Sequence, residues 1–357
     1  MNAVAVRPGV PRLAAPGPRA ILEAGTAFEL VASTLTVADT GGRDRFADVA
    51  QWRERARAMD GTDRRILERM GPHVVMNLVG LAAESGGERS AADFLRHAAA
   101  ISPVELIRNA VGRYRRDILR TAPGDLIDDA IAGDKAAQKQ FLAMSWPDVP
   151  EWHRSLRFVL GRPPEELAPA IVRAFRAWHD RVFATEAERL GRAQLDQVAA
   201  LSAESAVWRP DALLRRVAPG ADYVPPAGVD LLTFVPVSSV RPVVIFLDHR
   251  METFVLFPVV EASIGDAPPE QLVQLGKALG DELRLRALRA LAAGPRTLAD
   301  LATELGVPRT SLAHHVSILR AAGLLTHTID DGRWGRLELR ASAVGEIPPL
   351  FRRYIGG

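Results

Sequence analysis

LGKALGDELRLRALRALAAGPRTLADLATELGVPRTSLAHHVSILRAAGLLTHTIDDGRWGRLELR, residues 275–340, changes its hydrophobic period repeatedly, and each change has a local cause. Leu275, Leu279, Leu283, Leu285 and Leu288 recur near helical spacing, which predicts one amphipathic helix with Arg284, Arg286 and Arg289 largely off its apolar face. Gly294-Pro295 stops it. Thr297 can cap the next helix, its hydroxyl accepting from the free amide of Ala299 or Asp300, with Leu298, Leu301 and Leu305 facing inward. Gly306 supplies the permissive backbone at that helix's end, and Pro308 suits the first turn of the helix that follows. There Leu312, Val316 and Leu319 share one face, leaving Arg309, Thr310, Ser311, Ala313, His314 and Ser317 pointing away. Two strands around Asp330-Asp331-Gly332 complete the run. Helix, helix, tight turn, helix and β-hairpin in that order is a winged helix-turn-helix, and the outward residues are small, polar or cationic, as a surface that enters a DNA groove has to be.

The motifs ALGDELRLRALRAL, ADLATELGVPRTSLAHHVSILRAAGLL and DDGRWGRLEL, in that order, resemble the ArsR/SmtB family of bacterial repressors over roughly the last quarter of the chain. The resemblance implies that Pro308 to Arg320 is the recognition helix. Arg309, Thr310, Ser311, His314 and Ser317 would then touch bases or nearby phosphates, and Arg320 at its end is counted with them. Thr297 lies where the family often contacts the DNA backbone, and His315 at a position commonly His in the family. Arg333, Trp334 and Arg336 would present the wing to the minor groove or to phosphates.

Founding members of that family sense metals, so the ligand positions are a test of the resemblance. The chain has no cysteine, and Thr297 and Ala299 stand where soft-metal sites of the family use thiolates. The family's second site draws on His and carboxylates after the wing, where residues 341–357 hold no His and only Glu346. His314 and His315 are about 100° apart on a helix and do not make an i, i+4 pair. His73, His97, His153, His179, His249 and His327 are scattered. No metal and no cofactor is expected.

At 357 residues the chain is too long for a winged helix alone, and its 48% hydrophobic content suffices for a sizeable further core. There is no apolar run of membrane-spanning length, and MNAVAVRPGVPRLAAPGPRA lacks the apolar core of a signal peptide, so a cytoplasmic, nucleoid-associated address is expected. Absence of cysteine excludes a disulfide framework. The formal net charge is only +2, and residues 270–357 carry 12 Lys or Arg against 9 Asp or Glu. DNA contact would therefore rest on placed arginines and helix termini rather than on a strongly cationic domain.

Residues 1–19 are punctuated by Pro and Gly and read as a flexible arm. Helical patterns follow over Phe28 to Val37, Phe46 to Met59, Thr62 to Glu84, Ser90 to Ala100, Pro103 to Arg120, Gly124 to Ser145, Val149 to Leu160, Pro164 to Ala203 and Pro210 to Val217. Pro164 to Ala203 is either one helix or two joined near Gly191. Val229 to Val260 is rich in β-branched and aromatic residues and predicts two or three antiparallel strands. A short helix is expected around Pro349 to Tyr354. The expected organisation is mainly α with a small antiparallel β element. It comprises an arm at 1–19, a helical domain for effector binding or dimerisation at 20–228, a small antiparallel sheet at 229–264 and the winged helix-turn-helix at 270–357.

The N-terminal part holds no phosphate loop, nucleophile elbow, HExxH or dinucleotide fingerprint, so an enzyme is not expected. Its aromatics Trp146, Trp152, Phe158, Phe175, Trp178 and Phe183 form either a helix-helix core or the lining of an apolar pocket. The function expected is transcription regulation, as a repressor. A homodimer would bind double-stranded DNA at an inverted repeat and respond to a small-molecule effector not named by the sequence, with no membrane partner. Two other classes stay open: a winged helix fused to an enzyme, and one that has exchanged DNA for a protein partner.

Overall fold

Local start signals account for several of the helices. Ser90 accepts from the amide of Asp93 while Asp93 accepts from that of Ser90, a capping box, and Ser102 caps the next helix ahead of Pro103. The computed structural model describes residues 18–39, 46, 49–144, 150–218, 223, 225, 228–241, 243–259, 270–330 and 333–355. Residues 1–17, most of the expected arm, lie outside the described residues, as does Trp146.

Strand β1 (Arg19–Leu22) precedes α1 (Thr26–Ser33), α2 (Leu35–Ala38), α3 (Val49–Arg55), α4 (Gly61–Asn77) and α5 (Val79–Glu84). Next come α6 (Ala91–Ala100), α7 (Pro103–Ala110), α8 (Arg116–Thr121), α9 (Gly124–Ile131), α10 (Lys135–Met144) and α11 (Pro150–Leu160). Then α12 (Pro164–Trp178) leads through a π-helical turn, His179–Phe183, into α13 (Ala184–Glu204), and α14 (Pro210–Val217) follows. The long pattern from Pro164 therefore accommodates its phase by a π-turn instead of breaking at Gly191. Several expected helices are divided. In α4 the backbone leaves helical geometry at Gly71 (φ 68°), where a Cβ would fall 2.2 Å from Ser155 Oγ and Pro72 withholds an amide.

The sheet pairs β1, β2 (Leu231–Val237), β4 (Glu252–Pro258) and β3 (Ile245–His249) in that order. Antiparallel pairing was expected throughout, and β3–β4 pairs so. The β1–β2 and β2–β4 pairs run parallel: β3 reverses the chain after β2 and β4 reverses it again, so that β4 lies beside β2 in the same direction. Both faces are covered, which explains the nearly unbroken apolar runs. Val235, Val237, Phe254 and Leu256 join the core of the helical body, while Leu232, Phe234, Val255 and Phe257 pack with Leu201, Leu213 and Leu214. Trp152, Phe158, Phe175, Trp178 and Phe183 are buried in the helical core.

Polar side chains tie the layers together. Buried Gln194 on α13 accepts from Gly25 N (3.2 Å) and donates to Pro236 O (2.8 Å). Glu29 accepts from the amides of Ser238 and Ser239 and from the Ser239 hydroxyl. Burial pushes its carboxyl above the ordinary value, against the pull of those donors. The β3–β4 hairpin grips the helices through Glu84, which lies 2.8 Å from His249 Nε2 and accepts from Arg250 Nε at 2.6 Å. Burial alone would raise the Glu84 carboxyl; hydrogen bonds from His249 and Arg250 overcome it and hold the group at about 2.

The C-terminal unit contains α15 (Glu270–Leu279), α16 (Glu282–Ala292), α17 (Leu298–Leu305), α18 (Arg309–Ala321), β5 (Leu325–Asp330), β6 (Arg333–Leu339) and α19 (Ala341–Ile355). Leu275, Ala278, Ala287, Leu291, Leu301, Leu312, Leu319 and Leu337 share its core. The single helix expected over Leu275 to Leu288 is two, because Asp281 caps a new start after Gly280, and Leu285 is 48% exposed rather than on the apolar face. The terminal helix starts at Ala341, well before the expected Pro349. No helix among the described residues is long and apolar enough to cross a membrane.

Candidate nucleic-acid interface

Thr297 Oγ1 accepts from Asp300 N at 3.1 Å and donates to the Asp300 carboxylate at 2.8 Å, so the threonine starts α17 as its residue type predicts. Gly306 ends α17 with φ 69°, in the left-handed region, and Val307 N returns to Ala302 O at 3.1 Å. Pro308 then turns the chain into α18 with no side-chain cap on the helix's first amides and no acid in its first turn. Those amides and the helix dipole favour an anion there. Beside the turn lies a shallow depression lined by Ala299, Ala302, Thr303, Gly306, Val307, Pro308 and Arg309.

The two faces of α18 separate cleanly. Leu312, Val316 and Leu319 are buried, while Arg309, Thr310, Ser311, His314, Ser317 and Arg320 are exposed. No carboxylate occurs anywhere in α18. Ser317 donates its hydroxyl to His314 O at 2.7 Å, leaving the oxygen as an acceptor. This puts cations, hydroxyls and an imidazole on one convex strip of a helix, the shape and chemistry that fit a major groove.

His315 departs from the set expected to contact DNA. Its side chain is 18% exposed and turned inward, with Nδ1 3.4 Å from Asp281 Oδ1 and 3.4 Å from Arg284 Nη1. Arg284, expected off the apolar face, is folded back onto α15 and 12% exposed. The backbone amide of Arg284, with the Arg284 and His315 charges, holds the Asp281 carboxyl below its ordinary value. This Asp281–Arg284–His315 cluster was missed in sequence. Its signal was an Asp directly after Gly280 with an Arg three residues on.

The hairpin β5–β6 is antiparallel, with an irregularity between His327 and Ile329. A bridge between Arg296 and Leu337 joins β6 to the segment before α17 and seats the wing beside the helices. Arg336 is exposed on β6. Arg333 and Trp334 lie at the start of β6 by their backbone; their side chains, with Asp331 and Gly332, fall outside what is described. Among the described residues no group of three or more His, Cys, Asp or Glu side chains gathers as a metal site would require.

A helix-turn-helix domain family matches residues 279–328, from the end of α15 into β5. The HTH-type transcriptional regulator CmtR of Mycobacterium bovis is 40% identical over 80 residues, which span 21% of this chain and 67% of the relative. CmtR of Mycobacterium tuberculosis matches with the same identity and coverage. No solved structure matches the chain.

Proposed function

The chain belongs to the ArsR/SmtB family of DNA-binding helix-turn-helix transcriptional regulators, and from that premise we propose that it is a one-component repressor acting as a homodimer on an inverted-repeat operator. The observation that carries this reading is the two-faced α18, buried through Leu312, Val316 and Leu319 and carboxylate-free on its exposed strip. Two such helices related by a two-fold axis and about 34 Å apart enter successive major grooves. Repression is the simpler output, since occluding a promoter needs no contact beyond the DNA.

Dimerisation has support in α19, where Val344, Phe351, Tyr354 and Ile355 are 41–62% exposed, and in Val273 of the adjoining α15 at 36%. Exposed large apolar side chains gathered on one terminal helix and its neighbour suit a second copy of the same surface. The helical body with its sheet is assigned to effector sensing, with no catalytic role and no metal. An effector that favours a dimer of the wrong spacing releases DNA, for which a coupling of about 1 to 3 kcal/mol is typical. The protein then works in the cytoplasm, on the nucleoid.

A gel-shift titration on the duplex upstream of its own coding sequence, at physiological salt, tests this. A saturable complex that outlasts excess unrelated duplex is expected; binding with no sequence preference overturns the reading.

A further inference from the structure

The break at Gly280-Asp281 is held to the reading helix by one guanidinium. The last turn of α15 leaves carbonyls without intrahelical donors. Arg284, in the first turn of α16, reaches back to them: Nε donates to Ala278 O at 2.9 Å and Nη2 to Lys277 O at 2.6 Å. Its remaining nitrogen, Nη1, lies 3.4 Å from His315 Nδ1 on α18 and 3.7 Å from Asp281 Oδ2. Asp281 closes the figure, with Oδ1 accepting from Arg284 N at 3.0 Å and lying 3.4 Å from His315 Nδ1. One planar fork therefore touches the end of α15, the start of α16 and the middle of α18.

Capping α15 accounts for the two carbonyl contacts and leaves the third unexplained. The arm to His315 comes from the residue after His314, so α18 carries an outward imidazole for its groove face and an inward one for the joint, about 100° apart. Apolar contacts between helices tolerate sliding; a rigid fork bonded to the end of α15, with His315 Nδ1 accepting from it when bare or donating to Asp281 when protonated, tolerates much less.

We infer that Asp281, Arg284 and His315 are positioning residues that fix the pitch of α18 against α15, and thereby the half-site spacing at which a dimer grips DNA. The inference rests on α18 as the reading helix and on α15 lying beside the dimer face. None of the three residues needs to touch DNA.

The test is a set of duplexes carrying two copies of the selected half-site with the spacer changed one base pair at a time, together with a duplex bearing a single half-site. The full-length wild type, Arg284→Met, Arg284→Lys, His315→Leu and His315→Gln are titrated on each, and circular dichroism reports the folded fraction. Wild type is expected to prefer one spacer by about tenfold, within the ordinary range of coupling between sites. Arg284→Met and His315→Leu flatten that preference to about twofold while single-site affinity stays within about twofold, and Arg284→Lys and His315→Gln recover part of it. A merely structural role lowers every affinity in step with the folded fraction and leaves the spacer ratio at its wild-type value, which overturns the inference while the DNA-reading assignment stands. A wild type that binds no duplex in preference to another brings down the assignment of α18 itself, and the joint with it.

Discussion

Replacing Gln194 by Leu tests how the helical body is fastened to its sheet. Strand β1 pairs with β2 only as far as Leu22 opposite Phe234, so from Val235 onward the β1 side of β2 has no strand beside it. Glu23 N donates to Phe234 O, and two residues further on, on the same side, Pro236 O accepts from Gln194 Nε2 at 2.8 Å. The glutamine amide thus takes over where the strand stops. Its oxygen accepts from Gly25 N at 3.2 Å, just before α1, which has no side-chain cap. A leucine in its place would fill a similar volume but strand a buried N–H and a buried C=O, at about 1–3 kcal/mol each, offset by about 1 kcal/mol from the added apolar burial. The expected loss is about 1–5 kcal/mol, or roughly 2–20 °C in Tm for a unit of this size. Urea unfolding of the full chain, followed by tryptophan fluorescence, measures it. A change under about 0.5 kcal/mol would refute the reasoning, since it would mean that water or a neighbour satisfies both groups without the amide.

Arg309→Ala should weaken DNA binding and reduce the slope of log affinity against log salt by about 0.9 for each phosphate the arginine neutralises, which salt titration of the wild type and the variant reads directly. Glu84, held at about 2 in the folded chain against an ordinary 4.5, contributes stability that is present above about pH 4.5 and is lost as pH falls toward 2. Glu84→Gln should remove that contribution, so the stability gap between wild type and variant narrows over that window; a gap constant with pH contradicts the ion-pair account. Gly80→Ala would place a Cβ 2.1 Å from His249 Nδ1, forcing the ring off Glu84, and should cost on the order of 2 kcal/mol in thermal unfolding. Phe351→Glu, at a half-exposed position of α19, should shift sedimentation toward a monomer while circular dichroism stays unchanged.

The winged helix was legible in sequence where single residues dictate backbone geometry. Thr297 as a cap, Gly306 in the left-handed region and Pro308 after it are each decided within a few residues of chain. The α15–α16 break was hidden because Leu275, Leu279 and Leu283 keep helical spacing across it, so periodicity outvoted the Gly-Asp signal. Strand β1 was illegible for a different reason: four residues behind a Pro-rich run acquire strand identity only from β2, more than two hundred residues away. Distance in the chain likewise hid the bridges of Gln194 and Glu29, two residue types that sequence alone assigns to solvent. At the interface the outward strip of α18 followed from the spacing of Leu312, Val316 and Leu319, but His315 sits at the border of that strip, and only the position of Asp281 decides which way it turns.

A footprint of the full chain on its best-bound duplex, chosen from a random pool at about 0.15 M salt, with Arg309→Ala/His314→Ala run alongside, tests most directly whether α18 reads DNA. Two protected major-groove segments facing the same side and about 34 Å apart, lost in the folded double variant, are predicted. Uniform coverage without a preferred sequence, or an unchanged footprint in that variant, would contradict the claim that α18 reads DNA.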